Sequence, residues 1–166
     1  MQTGWLSDGG SRYYLRTSGA MATGWMELSG VWYYFDTSGK MKTGWQQIGG
    51  SWYYFDKDGI MQTGWLKDGG VWYYLKDTGA MATGWQQVDG TYYFLKSNGV
   101  MAADEYCDGY YLDKNGAWTY KARASWKKDS KGWYYQDTSG WYAKSRSYKI
   151  DGKNYNFDAS GYCTNP

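Results

Sequence analysis

The side chains best suited to chemistry in this sequence are tryptophans that occur in pairs seven residues apart. No acidic or basic residue is repeated at a fixed place beside them. Indole faces attract cations, and they suit a quaternary ammonium group because it cannot donate strong hydrogen bonds. The pattern therefore predicts a site that recognises a cation through aromatic rings. The pairs are Trp25/Trp32, Trp45/Trp52, Trp65/Trp72 and Trp126/Trp133.

The composition excludes several other kinds of site. The 166 residues include no His, which excludes Ser-His-Asp and Cys-His catalysis and removes the commonest metal ligand. Lys and Arg number 18 against 16 Asp and Glu, a balance that does not favour a nucleic-acid partner. No apolar run approaches the roughly 20 residues of a membrane helix. We expect a binding protein without catalytic residues, metal, cofactor or transmembrane segment.

The sequence consists of repeated segments, each of which is predicted below to form a hairpin of two strands. Aspartate recurs at one place in these segments, directly after the second predicted strand. Acids at a repeated position of this kind usually serve turns. We therefore interpret them as loop residues and not as the paired carboxylates of a glycosidase. They are Asp36, Asp56, Asp113, Asp137 and Asp158.

The elements that position the rings repeat every 20 residues, and chance does not give five copies in register. Thr-Gly-Trp begins at Thr3, Thr23, Thr43, Thr63 and Thr83. Glycines fall at Gly19, Gly39, Gly59, Gly79 and Gly99, and methionines at Met1, Met21, Met41, Met61, Met81 and Met101. Because the chain opens in mid-pattern, we expect it to be part of a longer protein whose missing portion could be catalytic.

Each unit has the pattern of a β-hairpin. In the second, residues 25–28 and 31–35 are strands, and Ser29-Gly30 suits a two-residue turn. A lone hairpin is marginal in water, so tandem hairpins must bury their faces against neighbours. The sequence predicts an all-β solenoid of hairpin repeats, with five regular units in residues 1–103 and diverged units or a cap in 104–166.

Strand alternation assigns the rings to faces. With the turn at 29–30, Trp25 pairs with Tyr34, and these two share a face with Trp32. Tyr33 and Phe35 lie on the opposite face. We interpret this opposite face as core packing, at Tyr33, Tyr53, Tyr73, Phe35 and Phe55.

The third unit combines three motifs: Gly44-Trp45, then Gly50-Ser51-Trp52-Tyr53-Tyr54-Phe55-Asp56, then Gly59-Ile60-Met61-Gln62-Thr63. It resembles the choline-binding repeat of pneumococcal-type surface proteins and cell-wall lytic enzymes. The resemblance is close over residues 1–103 and partial over 104–166. It implies a left-handed superhelix of hairpins at the bacterial surface, anchored non-covalently by binding phosphocholine of wall teichoic and lipoteichoic acids.

The resemblance also implies the site residues, because family sites use two rings of one repeat, one of the next, and often a methionine. Carried over, it gives Trp25, Trp32, Tyr54 and Met61; Trp45, Trp52, Tyr74 and Met81; Trp65, Trp72, Phe94 and Met101; and Trp85, Tyr92 and Tyr111, with Trp118 where Met belongs.

Two places depart from the family pattern. Arg12 replaces the second Trp of the first repeat, so we expect Trp5, Tyr34 and Met41 to form no complete site. The pair Trp126/Trp133 lacks a clean third ring, since Asn156 matches the place of a tyrosine. Whether this pair binds is left open.

Two alternatives accompany the choline interpretation. One is a glucan- or carbohydrate-binding repeat, which needs planar hydrogen-bonding side chains at fixed places; the other is a structural adhesin stalk. The only cysteines are Cys107 and Cys163. In an exported protein a pair is the expected state, so we predict a disulfide, with two free thiols as the alternative.

Overall fold

The computed structural model describes residues 2–166, in which the regular elements are β-strands. Met1, the first of the periodic methionines, lies outside the described residues. No helix in this part of the chain is long and apolar enough to cross a membrane. The strands are β1 (Gly4–Asp8), β2 (Ser11–Leu15), β3 (Gly24–Leu28), β4 (Val31–Phe35), β5 (Gly44–Ile48), β6 (Ser51–Phe55), β7 (Gly64–Asp68), β8 (Val71–Leu75), β9 (Gly84–Val88), β10 (Thr91–Leu95), β11 (Glu105–Cys107), β12 (Tyr110–Leu112), β13 (Ala124–Lys128), β14 (Trp133–Asp137), β15 (Ser147–Ile150) and β16 (Lys153–Asn156).

Strands β1 to β10 form five two-stranded antiparallel hairpins, as the period predicts. In the second hairpin Trp25 pairs with Tyr34 and Leu28 with Val31, which confirms the predicted register. The turn residue Ser29 has φ 53° and the glycine after it φ 82°, the left-handed values that a type I′ turn requires. The turn thus decides which side chains share a face.

The chain divides into two compact units, one ending at Ala82 and the other spanning Thr83–Pro166. The predicted change from regular to diverged repeats at 103/104 stays a prediction, as does the superhelical path. Each hairpin from the second to the fifth places one fully buried side chain at the end of its second strand, at Phe35, Phe55, Leu75 and Leu95.

A backbone hydrogen bond joins consecutive hairpins. After β6, Met61 forms an isolated bridge with Phe55, and its N–H donates to the carbonyl of Trp32 in the preceding hairpin at 2.8 Å. One unit later the N–H of Met81 donates to the carbonyl of Trp52 at 2.7 Å. Met61 and Met81 are therefore fixed beside the second tryptophan of the hairpin before them, and the N–H of Met41 donates at the equivalent place to the carbonyl of Arg12.

The recurring aspartates stabilise the loops that follow individual hairpins, as predicted. Asp36 Oδ1 accepts hydrogen bonds from the Ser38 N–H at 2.9 Å and the Lys40 N–H at 3.0 Å. The Ser38 hydroxyl also donates to this oxygen, and this bond is the main cause that lowers the pKa of Asp36. The same bonds to backbone N–H groups recur at Asp56, Asp113, Asp137 and Asp158.

The second compact unit, Thr83–Pro166, also consists of hairpins, but two of its hairpins are joined into one sheet. Its four-stranded sheet has the order β12-β11-β15-β16, while β13 and β14 pair separately. Parallel pairing of Tyr106 with Ile150 connects the two hairpins, and the N–H of Asp151 donates to the carbonyl of Tyr106 at 2.8 Å. The sequence predicted hairpins here but not this sheet.

The predicted disulfide is wrong, because Cys107 and Cys163 are both free thiols. Cys107 is buried in β11 in a cluster with Leu112. Cys163 packs against a different cluster, which contains Phe157. The two side chains are thus accommodated separately instead of against each other.

The periodic methionines lie over the periodic glycines of the following loops. A Cβ on Gly59 would stand 2.3 Å from Met41 Sδ, and one on Gly79 would stand 2.2 Å from Met61 Sδ. Gly79 also has φ 80°, which L side chains rarely adopt. Close approach and backbone conformation together explain why glycine and methionine share one period.

We expect Gly79→Ala to lower the free energy of unfolding more than Gly69→Ala does. Both glycines are left-handed, which costs alanine about 1–2 kcal/mol. A Cβ on Gly69 meets nothing within 4 Å, whereas at Gly79 overpacking against Met61 adds about 1–3 kcal/mol. Urea denaturation measures both. In a Met61→Ala background the difference should vanish, and a difference that persists would show that Met61 is not its cause.

We expect both cysteines to react with iodoacetamide under denaturing, non-reducing conditions, giving two adducts by intact mass. In the native protein Cys107 should react far more slowly than in the denatured one. Burial raises the pKa of Cys107 to about 12, and the thiolate is the nucleophile. An unlabelled protein two hydrogens lighter than the reduced chain would contradict this expectation.

Candidate ligand-binding boxes

The first box is formed by two consecutive hairpins of the first unit. Its tryptophans stand nearly at right angles, with the ring centres of Trp25 and Trp32 6.3 Å apart and their planes at 81°. Tyr53 of the next hairpin stands 4.9 Å from Trp25 at 71°. The rings wall an open cavity of about 440 Å³, whose lining is Trp25, Trp32, Tyr53, Met61, Asp77 and Thr78.

The two tryptophans of this box differ in how firmly they are held. Trp25 is half-buried, with Tyr34 at 5.2 Å and Phe55 at 5.7 Å from its ring. Trp32 is 41% exposed although it is a large apolar side chain. The box therefore has one wall fixed by packing and one open to solvent, as a surface ligand site requires.

A second box repeats this geometry one 20-residue repeat further along the chain. The ring centres of Trp45 and Trp52 are 6.5 Å apart at 80°, and Tyr73 lies 4.8 Å from Trp45. Here the indole N–H of Trp45 donates to Asp68 Oδ2 at 2.9 Å, which fixes the inner wall. Met81 stands beside Trp52 through its backbone hydrogen bond.

The structure brings Tyr53, and not the expected Tyr54, to the first box. Tyr54 pairs with Trp45 in its own hairpin, and the two ring centres are 5.3 Å apart. A hairpin has two faces, and the one that carries Tyr53 and Phe55 contacts the preceding hairpin at Trp25. The expected Tyr74 is likewise beside Trp65 of its own hairpin, at 5.1 Å.

The signal for Tyr53 was present in the sequence. Strand alternation already separates Tyr53 from Tyr54. What it does not reveal is which face meets the preceding hairpin, and the face of Tyr53 was assigned to packing alone. In the structure this face both packs in the core and lines the box, because Phe55 is buried while Tyr53 borders the cavity.

The third expected set draws Trp65 and Trp72 from the first unit and Phe94 and Met101 from the second. Trp65 and Trp72 form the usual perpendicular pair, with ring centres 6.2 Å apart at 85°. Phe94 packs on Trp85 of its own hairpin at 5.3 Å. The grouping of the four residues stays a prediction.

A further box, the Trp118 box, lies in the second unit around a cavity of about 200 Å³ lined by Trp85, Tyr92, Tyr110 and Trp118. Trp118 takes the methionine position, since its N–H donates to the carbonyl of Tyr92 at 2.8 Å. The expected Tyr111 lies elsewhere: its hydroxyl donates to Asp104 Oδ1 at 2.6 Å, and burial raises its pKa to about 12. Tyr110 lines the cavity instead, in the place that Tyr53 has in the first box.

In the first repeat the chain supplies its own cation. Arg12 stands where the second tryptophan would be, and its guanidinium carbon lies 4.4 Å from the centre of the Trp5 ring. Tyr33 of the next hairpin is 5.1 Å from Trp5, as the third ring of the other boxes would be. An aromatic position equivalent to those of the boxes is thus in contact with a positive charge.

No charged side chain occupies one fixed place in every repeat, although Lys67 lies over Trp72 at 5.6 Å and Lys128 over Trp133 at 5.3 Å. Asp77 lines the first cavity, but the equivalent residues of neighbouring units are Lys57 and Ser97. What repeats is the set of rings and the methionine position. The recurring part of the boxes is therefore aromatic, and such a lining suits a cation that needs no fixed hydrogen-bond acceptor.

Comparison with known families matches most of the chain. Choline-binding repeat models match residues 2–44, 42–84 and 82–118. A cell wall binding repeat model matches residues 125–140. A search of curated proteins found no match.

Solved structures give the same assignment. CbpJ from Streptococcus pneumoniae is 38% identical, with a TM-score of 0.69. Choline binding protein F from the same organism, solved with a peptidoglycan analogue, has the same identity and TM-score. Each match covers 98% of this chain and 58% of the relative, so this chain spans little more than half the length of these relatives.

One further relative is a domain of matching size. The choline-binding domain of CbpL from Streptococcus pneumoniae is 29% identical over 100% of this chain and 99% of that domain, with a TM-score of 0.60. The repeat models, the structural relatives and the tandem aromatic hairpins agree. This chain belongs to the choline-binding repeat family.

Proposed function

We propose that this chain anchors its protein to the bacterial cell wall by binding choline. The ligand is the phosphocholine of wall teichoic and lipoteichoic acids, and its trimethylammonium head enters the aromatic boxes. The protein acts outside the cell, at the wall surface. The boxes of the first unit are Trp25, Trp32, Tyr53 and Met61, and Trp45, Trp52, Tyr73 and Met81.

The observation that carries this proposal is the recurring corner of two perpendicular tryptophans closed by a tyrosine of the next hairpin. Ring faces attract a quaternary ammonium, and its methyl groups gain from leaving water. The guanidinium of Arg12 over Trp5 supports the same preference. Sugar recognition would need planar polar side chains at a repeated place, and none of the boxes repeats one.

The energy of one box is modest. Three ring contacts at an exposed site give about 2–3 kcal/mol, and burial of methyl groups adds about 0.8 kcal/mol for each carbon. A dissociation constant of about 1 mM corresponds to about 4 kcal/mol, so each box is a weak site. Firm attachment follows when several boxes engage one polymer that carries many choline groups.

We propose that this chain is the attachment module of a longer protein and performs no catalysis itself. The modular autolysin LytC from Streptococcus pneumoniae supports this arrangement, since this chain is 30% identical to it and covers 40% of its length. A module of this kind would keep its partner domain close to the wall.

We expect choline and tetramethylammonium to change the tryptophan fluorescence with similar affinity, because the boxes contact the cationic head and not the hydroxyl. An α-glucan should give no response. Trp32→Ala should remove the first box, whereas Trp141→Ala is a matched control because Trp141 is 37% exposed and lies outside the boxes. A response to the glucan and none to either cation would support the carbohydrate-binding alternative instead.

We also expect Arg12→Trp to add a binding site. The substitution removes the internal cation over Trp5 and supplies the missing second wall, opposite Tyr33. Isothermal titration with choline should then show one more site per chain than the natural sequence. Arg12→Ala, which removes the cation without adding a ring, is the control; an equal number of sites in all three proteins would contradict the assignment.

A further inference from the structure

We propose that a lysine beside the second tryptophan of a pair determines which form of a choline ligand that pair prefers. The place, called here the rim position, lies two residues after the first tryptophan and opposite the second across the hairpin. A lysine there selects choline that carries a phosphate over a bare quaternary ammonium. This inference rests on the proposed function and concerns selectivity within it. The rim residues of the four tryptophan pairs are Glu27, Gln47, Lys67 and Lys128.

The register of the hairpin places the rim residue among the rings. Lys67 pairs with Trp72 and follows Trp65 by two residues on the same strand, so the three side chains share a face. The Lys67 Nζ lies 5.6 Å from the centre of the Trp72 ring, within the range of about 6 Å for attraction of a cation to a ring. Trp72 is 40% exposed, so the ammonium occupies an aromatic surface that is open to a ligand.

The same contact recurs in the second compact unit. Lys128 pairs with Trp133, and its Nζ lies 5.3 Å from the centre of that ring. Trp133 is also 40% exposed. Because the two hairpins lie in different compact units, the contact follows from the rim position itself and not from a neighbour that both lysines share.

The two rim ammonium groups are free to meet an incoming anion. Neither Lys67 nor Lys128 belongs to an ion pair with a carboxylate in residues 2–166. The lysines that do are Lys42, Lys57, Lys96 and Lys149. Each rim ammonium is thus in contact with a ring and carries a charge that no nearby carboxylate neutralises.

This arrangement acts in opposite directions on two kinds of ligand. A bare quaternary ammonium must displace the lysine from the ring and is repelled by its charge. A phosphodiester of choline carries a negative charge close to its trimethylammonium group. When that group lies against the rings, the phosphate stands at the rim, where the displaced lysine pairs with it. Lys67 and Lys128 therefore weaken binding of the bare cation and strengthen binding of the phosphate-bearing ligand.

The test measures binding separately at each tryptophan of the full chain. The indole N–H signals of the nitrogen-15-labelled protein are assigned with single Trp→Phe variants. They are then titrated with tetramethylammonium chloride and with glycerophosphocholine, a phosphodiester, at constant ionic strength. The selectivity at one tryptophan is the dissociation constant of tetramethylammonium divided by that of glycerophosphocholine.

We expect the selectivity at Trp72 to exceed that at Trp52 about tenfold. Loss of an exposed cation–π contact weakens the bare cation about threefold, and a surface ion pair strengthens the phosphodiester by about the same factor. Lys67→Gln, which installs the residue type of Gln47, should remove the tenfold excess at Trp72 and leave Trp133 unchanged. Lys128→Gln should do the reverse.

Two controls separate this effect from a change in net charge or structure. Lys40→Gln removes the same charge from an exposed lysine of the first compact unit and should leave both selectivities unchanged. Added sodium chloride should lower the selectivity at Trp72 more than at Trp52, because salt screens a contact between ammonium and phosphate.

Equal selectivity at Trp52 and Trp72 in the natural chain would overturn the inference, as would an excess at Trp72 that survives Lys67→Gln. The first comparison needs no variant, so it stands even where a substitution impairs folding. Responses of Trp32 and Trp52 to tetramethylammonium without a difference at Trp72 refute only the role of the lysines. If no indole signal responds to either probe, the proposed function itself is refuted.

Discussion

The geometry of the boxes depends on one recurring backbone hydrogen bond. It runs from a residue in the segment that follows one hairpin to the hairpin that precedes that one in the chain. Its donor is the N–H of Met61, Met81, Trp118 or Cys163. Its acceptor is the carbonyl of the first aromatic residue in the second strand of the preceding hairpin, which is Trp32, Trp52, Tyr92 or Trp133. Because the bond uses only main-chain atoms, the donor side chain can vary. The donor residue is consequently a methionine, a tryptophan or a cysteine at an unchanged place.

This geometry gives the two faces of a hairpin different partners. The face with Phe55 and Tyr53 meets Trp25 of the preceding hairpin, while Trp45 on the opposite face meets Tyr73 of the following one. Part of each ring set is buried for stability, and part remains at the surface. The packing between hairpins and the walls of the boxes therefore use the same aromatic residues, which explains how a chain with few fully buried side chains presents large exposed tryptophans.

Local rules in the sequence determined much of the fold. The period, the turn at Ser29 and the pairing of Trp25 with Tyr34 follow from turn chemistry and strand alternation, and the structure agrees. The contact between hairpins was beyond such rules. Tyr53 and Tyr54 are adjacent and chemically identical, so only the three-dimensional arrangement decides which one faces the neighbouring tryptophan.

The errors at the end of the chain have the same origin. The presence of two cysteines in a sequence of exported type favours a disulfide. The hydrophobic cluster in which each cysteine lies is set by long-range strand pairing, which no local pattern contains. The parallel pairing of Tyr106 with Ile150 joins segments that are far apart in sequence. It makes a four-stranded sheet where the repeat pattern predicts separate hairpins.

The seating of methionine over glycine has a consequence for how such a chain changes in length. Met41 needs Gly59 and Met61 needs Gly79, so each loop is completed by the unit that precedes it. Recombination that inserts or removes one whole 20-residue copy preserves every such pair, while a shift by another length within the regular copies leaves a methionine opposite a side chain. The number of repeats can therefore change by whole copies without any compensating substitution at these contacts.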